Sequence, residues 1–249
     1  MHGQNTHAEF SATRWTLVEA MTGEDEGLRQ SARRQLAEQY FSPVYAYIRS
    51  RGNPPERAAD LTQSFFTEVV FGRNLFGRVD RRRSRLRTYL KTAINNHVID
   101  ESRKDKRRSA MLIPVSALAE EERNFSDLRG LTAEEAFEIR WAVAVVQEAL
   151  KRCRARFQDA GQEEQFVVFE RWFCRNLGTD AAARPDASTL AKEMGLASAD
   201  QVYSITRKVR LRLQEAVREV LRDQVDSDEP WEEELLHFAR LTEIPHTSL

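Results

Sequence analysis

The sequence is poor in the residues on which most protein chemistries depend. Only two cysteines, Cys153 and Cys174, occur in 249 residues. Each lies in a helical-looking segment, so both read as reduced, buried thiols rather than as a disulfide or a metal site. The five histidines (His2, His7, His97, His237, His246) are scattered, without metal-ligand spacing. No glycine-rich phosphate loop or nucleophile motif is present, so neither an enzyme nor a bound cofactor is expected. No apolar run approaches the roughly 18 residues of a membrane span, and the N-terminus lacks a signal-peptide pattern. A cytoplasmic address with no membrane partner follows as the expectation. Glycine and proline are sparse and fall mostly between periodic segments. No alternating strand pattern stands out, so the fold class expected is all-α.

A charge of one sign is also lacking. Thirty-eight Lys and Arg face 39 Asp and Glu, a net charge of -1, which excludes a globally basic binder of nucleic acid. The charge is segregated instead. Arg29 to Arg108 is cationic, whereas Glu120 to Glu122 and Asp223 to Glu234 are anionic. A bound polyanion responds to the local patch rather than to the sum.

The most informative stretch is Asp80 to Arg108, DRRRSRLRTYLKTAINNHVIDESRKDKRR. Leu86, Leu90, Ala93, Ile94, Val98 and Ile99 recur every three or four residues, the mark of a helix with an apolar stripe. Lys91, Asn95, Asn96, His97 and Asp100 occupy the other face, and arginines and lysines crowd both ends. Cations hold phosphates with little discrimination, while Asn and Asp can hydrogen-bond to base edges. The plainer alternative is a solvated charged helix.

Upstream, residues 1–12 are expected to lack regular structure, and Thr13 to Met21 reads as a short capped helix. Leu28 to Arg51 reads as an amphipathic helix that Pro43 should kink or break. GNPP at Gly52 to Pro55 separates it from a helix over Glu56 to Val70, whose stripe is Ala58, Leu61, Phe65 and Val69. Phe66 there is either core, the favoured reading, or an exposed anchor for a partner. Residues 13–109 thus form a first small helical domain. Residues 110–131, with Pro114, the acidic triplet and Gly130, read as a linker.

Thr132 opens a capping box for a helix to about Phe157. A further helix, Glu163 to Leu177, carries Phe166, Phe169, Trp172 and Phe173, a stripe read as core. Ser188 then caps a short helix with Leu190, Ala191 and Met194. Gly195 supplies a turn, and a longer helix places Val202, Ile205, Val209, Leu213 and Val217 inward. That is a helix-turn-helix pattern, with a turn one residue longer than the commonest form. In such a unit the second helix enters the major groove. Ser198, Asp200, Gln201, Ser204 and Arg207 are the candidate base-edge residues, with Lys208 and Arg210 on phosphates. Residues 132–224 make this second domain. Residues 225–249 are an acidic tail with an amphipathic segment (Trp231, Leu235, Phe238, Leu241) that folds back on the second domain or docks on a partner.

The order of these pieces resembles a bacterial extracytoplasmic-function (ECF) RNA polymerase sigma factor. YFSPVYAYIRSRG followed by PPERAADLTQSFF is similar to the start of sigma region two. RLRTYLKTAINNHVID resembles its minus-ten-reading segment, and the helix-turn-helix resembles region four. The likeness spans about residues 13 to 241 and is nearest to a group with an N-terminal TRW-like segment and an acidic C-terminal helix. It implies core RNA polymerase, through the beta-prime clamp helices and the beta flap, and promoter DNA as partners. It leaves an anti-sigma partner open. By position, Asp60, Gln63, Ser64 and Phe66 fall where the family docks on the clamp helices, Ser64 standing where an acid is usual. Asn96 and Asp100 fall where a flipped base of the minus-ten element is read, with Tyr89 as the supporting aromatic. Arg85, Arg87, Arg103, Lys104, Arg107 and Arg108 would hold the opening strands, and the recognition helix would read the minus-thirty-five element. The competing expectation is a helix-turn-helix regulator that acts without core polymerase.

Overall fold

The computed structural model describes residues 20–21, 23–72, 86–104, 121–122, 125, 128, 130–176, 186–224 and 231–242, and every regular element among them is helical. The all-α expectation therefore holds for the described residues. The segment Thr13 to Met21 lies outside them except for its last two residues. Two units are present, one of Met1–Ala144 with Leu221–Thr242, the other of Val145–Val220 with Glu243–Leu249.

In the first unit, helix α1 (Glu26–Ser50) starts where the Asp25 carboxylate accepts the Leu28 backbone N–H at 3.0 Å. It runs as one helix through Pro43, so of the expected kink or break the break does not occur. Pro43 is buried on the same face as Leu36, Tyr40, Val44 and Tyr47. Burial of that face offsets the roughly 3 kcal/mol that an internal proline costs.

Helix α2 (Pro55–Ser64) has Pro55 in its first turn and passes directly into a π-helical segment, Phe65–Val70. The wider turn lets two adjacent pairs, Phe65 with Phe66 and Val69 with Val70, all face inward. The Phe66 ring lies between Phe41 (6.4 Å), Phe65 (5.6 Å) and Phe71 (5.9 Å), so Phe66 is core. Gly72 closes the segment, and a Cβ there would come within 2.8 Å of the Glu68 carbonyl oxygen.

Helix α3 (Leu86–Lys104) buries Leu86, Leu90, Ala93, Ile94 and His97. Sequence periodicity placed Val98 and Ile99 in that stripe and His97 outside it; in the structure His97 is buried, Ile99 is exposed and Val98 is half-buried. His97 is 5% exposed, its Nε2 lies 2.8 Å from the Ser64 hydroxyl and its ring 5.8 Å from Phe65. Its polar partner on α2 is what makes the burial of an imidazole tolerable.

The acidic stretch after α3 is not a bare tether where it is described. Glu122 accepts Arg49 Nε at 2.6 Å and the Tyr45 hydroxyl at 2.5 Å, Glu121 accepts the Ser42 hydroxyl at 2.8 Å, and Phe125 and Leu128 are buried with Ala46 and Ala136. Burial, reinforced by the Glu122 charge, raises the Tyr45 phenol well above its usual range. Helix α4 (Ala133–Asp159) then begins with the expected capping box. Thr132 N–H donates to Glu135 at 2.8 Å, and Thr132 Oγ1 accepts the Glu135 N–H at 3.2 Å.

Beneath these helices lies a buried ionic cluster. Arg87 donates to Glu138 at 2.6 Å and reaches Glu234 at 3.3 Å, with its guanidinium 5.0 Å from the centre of the Trp141 ring. Glu138 also receives Lys91 at 2.5 Å and lies 2.9 Å from His237 Nε2. Glu234, His237 and the fully buried Phe238 belong to the C-terminal helix.

In the second unit, helices α5 (Glu163–Asn176), α6 (Ala187–Glu193) and α7 (Ala199–Arg222) enclose Val168, Leu190, Ala191 and Val202. The N-cap of α6 is Asp186, which accepts the Thr189 N–H at 2.7 Å, rather than Ser188. Ser188 is already within the helix, too late to serve its first free donors. After α6, Leu196 N–H returns to the Ala191 carbonyl at 2.8 Å and Gly195 takes φ +66°, a left-handed turn that glycine adopts without strain. Phe166 and Phe169 are core, but Phe173 is 45% exposed. Cys153 is buried, and burial pushes its thiol up to about 11, which leaves it protonated and inert near neutrality. Helix α8 (Trp231–Thr242) completes the first unit, with Phe238 edge-on to Trp141 at 6.4 Å.

Burial alone would raise the Glu138 carboxyl, but hydrogen bonds from His237 and Lys91 and the charges of Arg87 and Lys91 outweigh it and lower it from 4.5 to about 2. A carboxylate depressed on folding stabilises fully above about pH 4.5 and loses that contribution as pH falls towards 2. Glu138→Gln should cost about 3 kcal/mol near neutrality and flatten this acid limb, measured by urea melts across pH. Phe238→Ala should cost about 3–5 kcal/mol in the same assay, because α8 is part of the first unit's core.

Candidate nucleic-acid interface

The inward residues of α3 determine which residues face out. At 100° per residue, burying Leu86, Leu90, Ala93, Ile94 and His97 leaves Thr92, Asn96, Ile99, Asp100 and Arg103 on one exposed strip, with Thr88 at its edge. Tyr89, half-buried, lies at the head of the strip. From Tyr89 to Arg103 it runs roughly 21 Å at 1.5 Å per residue, long enough for several nucleotides. Asn96 and Asp100 are neighbours one turn apart, and both are exposed. Together they present an amide, which can donate and accept, and a carboxylate, which accepts. Those are the groups needed to pair with the edge of an unstacked base.

Two of the expected contact residues are placed otherwise. Arg87 is 7% exposed and committed to Glu138 and Glu234. Its guanidinium is therefore held inside the protein rather than presented to a phosphate. The reason is its position one residue after Leu86, where it meets the inward-facing carboxylates of α4 and α8. Phe66 is 4% exposed in the aromatic core and offers no ring to a partner. Lys91 likewise turns to Glu138. Arg103 is exposed at the C-terminal end of the strip. Arg85, Arg107 and Arg108, and the side chain of Lys104, lie outside the described residues.

Reading the sequence alone missed several residues of this face. Arg51, just past the end of α1, donates to Asn95 Oδ1 at 2.8 Å and brings a cation beside the strip. Thr92 and Ile99 join the strip itself. A period of 3.6 anchored on His97 as an inward residue would have found both; the imidazole, taken as polar, hid that phase.

On α2, Asp60 and Gln63 are half-exposed on the outer face, which Glu56 and Thr67 extend. Ser64 points the other way, to His97, and so links α2 to α3.

In the second unit all seven candidates on or beside α7 are exposed: Ser198, Asp200, Gln201, Ser204, Arg207, Lys208 and Arg210. Asp200, Ser204 and Arg207 are aligned at the centre of one face. Gln201 Oε1 accepts the Ala197 N–H at 2.8 Å, tying down the turn, and Lys208 donates to Gln162 and Gln165 at 2.8 and 2.9 Å. Those two side chains therefore have structural work before any ligand arrives. Arg207 and Arg210 extend the exposed basic edge.

The segment that carries α2 and α3 is recognisable by family. Residues 36–108 match the model of Sigma-70 region 2. No curated protein and no solved structure gave a match to the chain. The match supports a sigma factor's part in transcription initiation, with RNA polymerase and promoter DNA as partners. The matched residues include the outer face of α2 and the whole of the α3 strip. Among the described residues, no helix is long and apolar enough to cross a membrane.

Asn96 and Arg87, both on α3, should separate cleanly in a stability measurement. Asn96→Ala, at an exposed position, should stay within about 0.5 kcal/mol of the parent chain in a urea melt. Arg87→Ala, which takes a buried guanidinium away from Glu138 and Glu234, should cost about 3–5 kcal/mol.

Proposed function

We propose that this chain is an ECF-type sigma factor that confers promoter specificity on core RNA polymerase and traps the melted minus-ten strand, without catalysing a reaction itself. The observation that carries the reading is the exposure of Asn96 and Asp100 on one strip of α3, inside the segment matched to Sigma-70 region 2. In this reading an unstacked base offers its pairing edge to Asn96 and Asp100. Arg103 and the basic residues that follow α3 hold the backbone on either side. The outer face of α2, with Asp60 and Gln63, meets the polymerase clamp. The second unit supplies a separate duplex reader through α7, on the minus-thirty-five element. Trapping needs no chemistry: a strand bound only when unpaired shifts the opening equilibrium by its differential affinity. Phosphate contacts dominate binding to duplex, so the free chain should hold DNA modestly and with a steep salt dependence.

The other reading, a helix-turn-helix regulator independent of polymerase, is favoured by the turn at Gly195 and the exposed face of α7. It gives the α3 strip no task. Co-purification with core polymerase distinguishes the two.

The test is transcription in vitro with core polymerase on a fragmented genomic template, scored for strand opening by permanganate reactivity. Asn96→Ala should reduce opening about tenfold, the worth of one lost base contact of ~1.4 kcal/mol. Its binding to polymerase should stay within about twofold of the parent. Failure of the parent chain to bind core polymerase would overturn the proposal, and an intact opening signal would remove Asn96 from the site.

A further inference from the structure

Six large apolar side chains stand exposed among the described residues; two of them, Tyr203 and Leu211, lie on α7, and Tyr203 is the one in its first turns. Tyr203 is 54% exposed, although its backbone neighbour Val202 is fully buried. It is not loosely held. Trp172 of α5, itself packed against the cluster of Val168, Leu190, Ala191 and Val202, meets the Tyr203 ring edge-on at 5.7 Å and 89°. An exposed aromatic fixed in this way loses little side-chain entropy on binding.

We infer that Tyr203 is a specificity-determining residue whose ring packs on the C5-methyl group of a thymine in the major groove. The inference rests on α7 being the duplex reader, as proposed above. Tyr203 is the fifth residue of α7, within the first turns, where a recognition helix comes closest to base edges. Its exposed neighbours on α7, Asp200, Ser204 and Arg207, are polar or charged and suited to the donors and acceptors of the groove. The groove edge presents one apolar feature, the thymine methyl, and a ring aimed at it has no other apolar surface to cover. The polar residues therefore read hydrogen-bonding patterns, and Tyr203 adds a methyl-directed contact that the helix-turn-helix pattern alone does not reveal.

The full chain bound to core polymerase is used to select active promoters from a library randomised in the upstream element, in parallel with Tyr203→Ala and Tyr203→Phe. The parent should prefer thymine at one position, and Tyr203→Ala should lose that preference while keeping those at the other positions. Replacing that thymine by deoxyuridine should cost the parent about fourfold, the worth of one buried methyl group. The same replacement should cost Tyr203→Ala nothing, and Tyr203→Phe should keep the thymine preference. An unchanged profile in Tyr203→Ala, or an even loss on all promoters as expected of a protein-docking residue, overturns the inference. If the chain does not bind polymerase, the sigma reading fails, and the same selection by DNA binding of the free chain still decides the role of Tyr203. Absence of any sequence preference there overturns this inference as well.

Discussion

The ion cluster of Arg87, Lys91, Glu138, Glu234 and His237 sets the rotation of α3, and everything the helix can do outside follows from it. Two cations and two carboxylates balance one another at 2.5 to 3.3 Å, with Trp141 beneath the guanidinium. A buried network of this kind need not be more stabilising than apolar packing, because desolvating the ions is costly. Its effect is geometric: only one phase of α3 pairs both cations. A rotation by one residue, 100°, would strand at least one buried charge and would also move Asn96 and Asp100 off the outer face. The exposed strip is thus the complement of an internal electrostatic requirement.

A second tie joins α3 to α2. The Ser64 hydroxyl and His97 meet at 2.8 Å where the α-helical turns of α2 give way to the π-helical segment. The extra residue in each hydrogen-bonded π turn brings Phe65 and Phe66 together into the core, and the Phe66 ring then spans Phe41 and Phe71. Helix α2 is therefore anchored by aromatic packing at its end and by one polar contact to α3. Its outer face remains available, and π-helical turns are often found beside functional surfaces.

Legibility from sequence divides along physical lines. The helices themselves, the capping box at Thr132 and the Gly195 turn were readable, because each depends on local spacing or on a residue type with one conformational use. The outward setting of Asn96 and Asp100 was readable too, from the leucines at 86 and 90. What could not be read depends on partners far away in the chain. Arg87 looks like a phosphate ligand until Glu138 and Glu234, more than 50 and 140 residues later, are brought beside it. His97 looks exposed until Ser64 accepts it as a neighbour. Phe66 could be anchor or core until the π segment decides. The continuity of α1 through Pro43 likewise depends on burial that no local rule supplies.

These cases share a cause that bears on how basic stretches are to be read. A run of arginines and lysines marks a polyanion site only to the extent that its charges remain unspent inside the protein. In this chain Arg87 and Lys91 neutralise the carboxylates of α4 and α8, and Lys208 is bound to two glutamines. Arg103, Arg207 and Arg210 remain exposed beside the residues that can read bases. The near-zero net charge is then no paradox. The acidic tail offsets the basic segment in total, and through Glu234 it also absorbs part of that segment's charge in space. Arg103 on α3 and Arg207 and Arg210 on α7 are exposed on helices that also present amide, carboxylate and aromatic side chains, so a polyanion would not meet these cations alone.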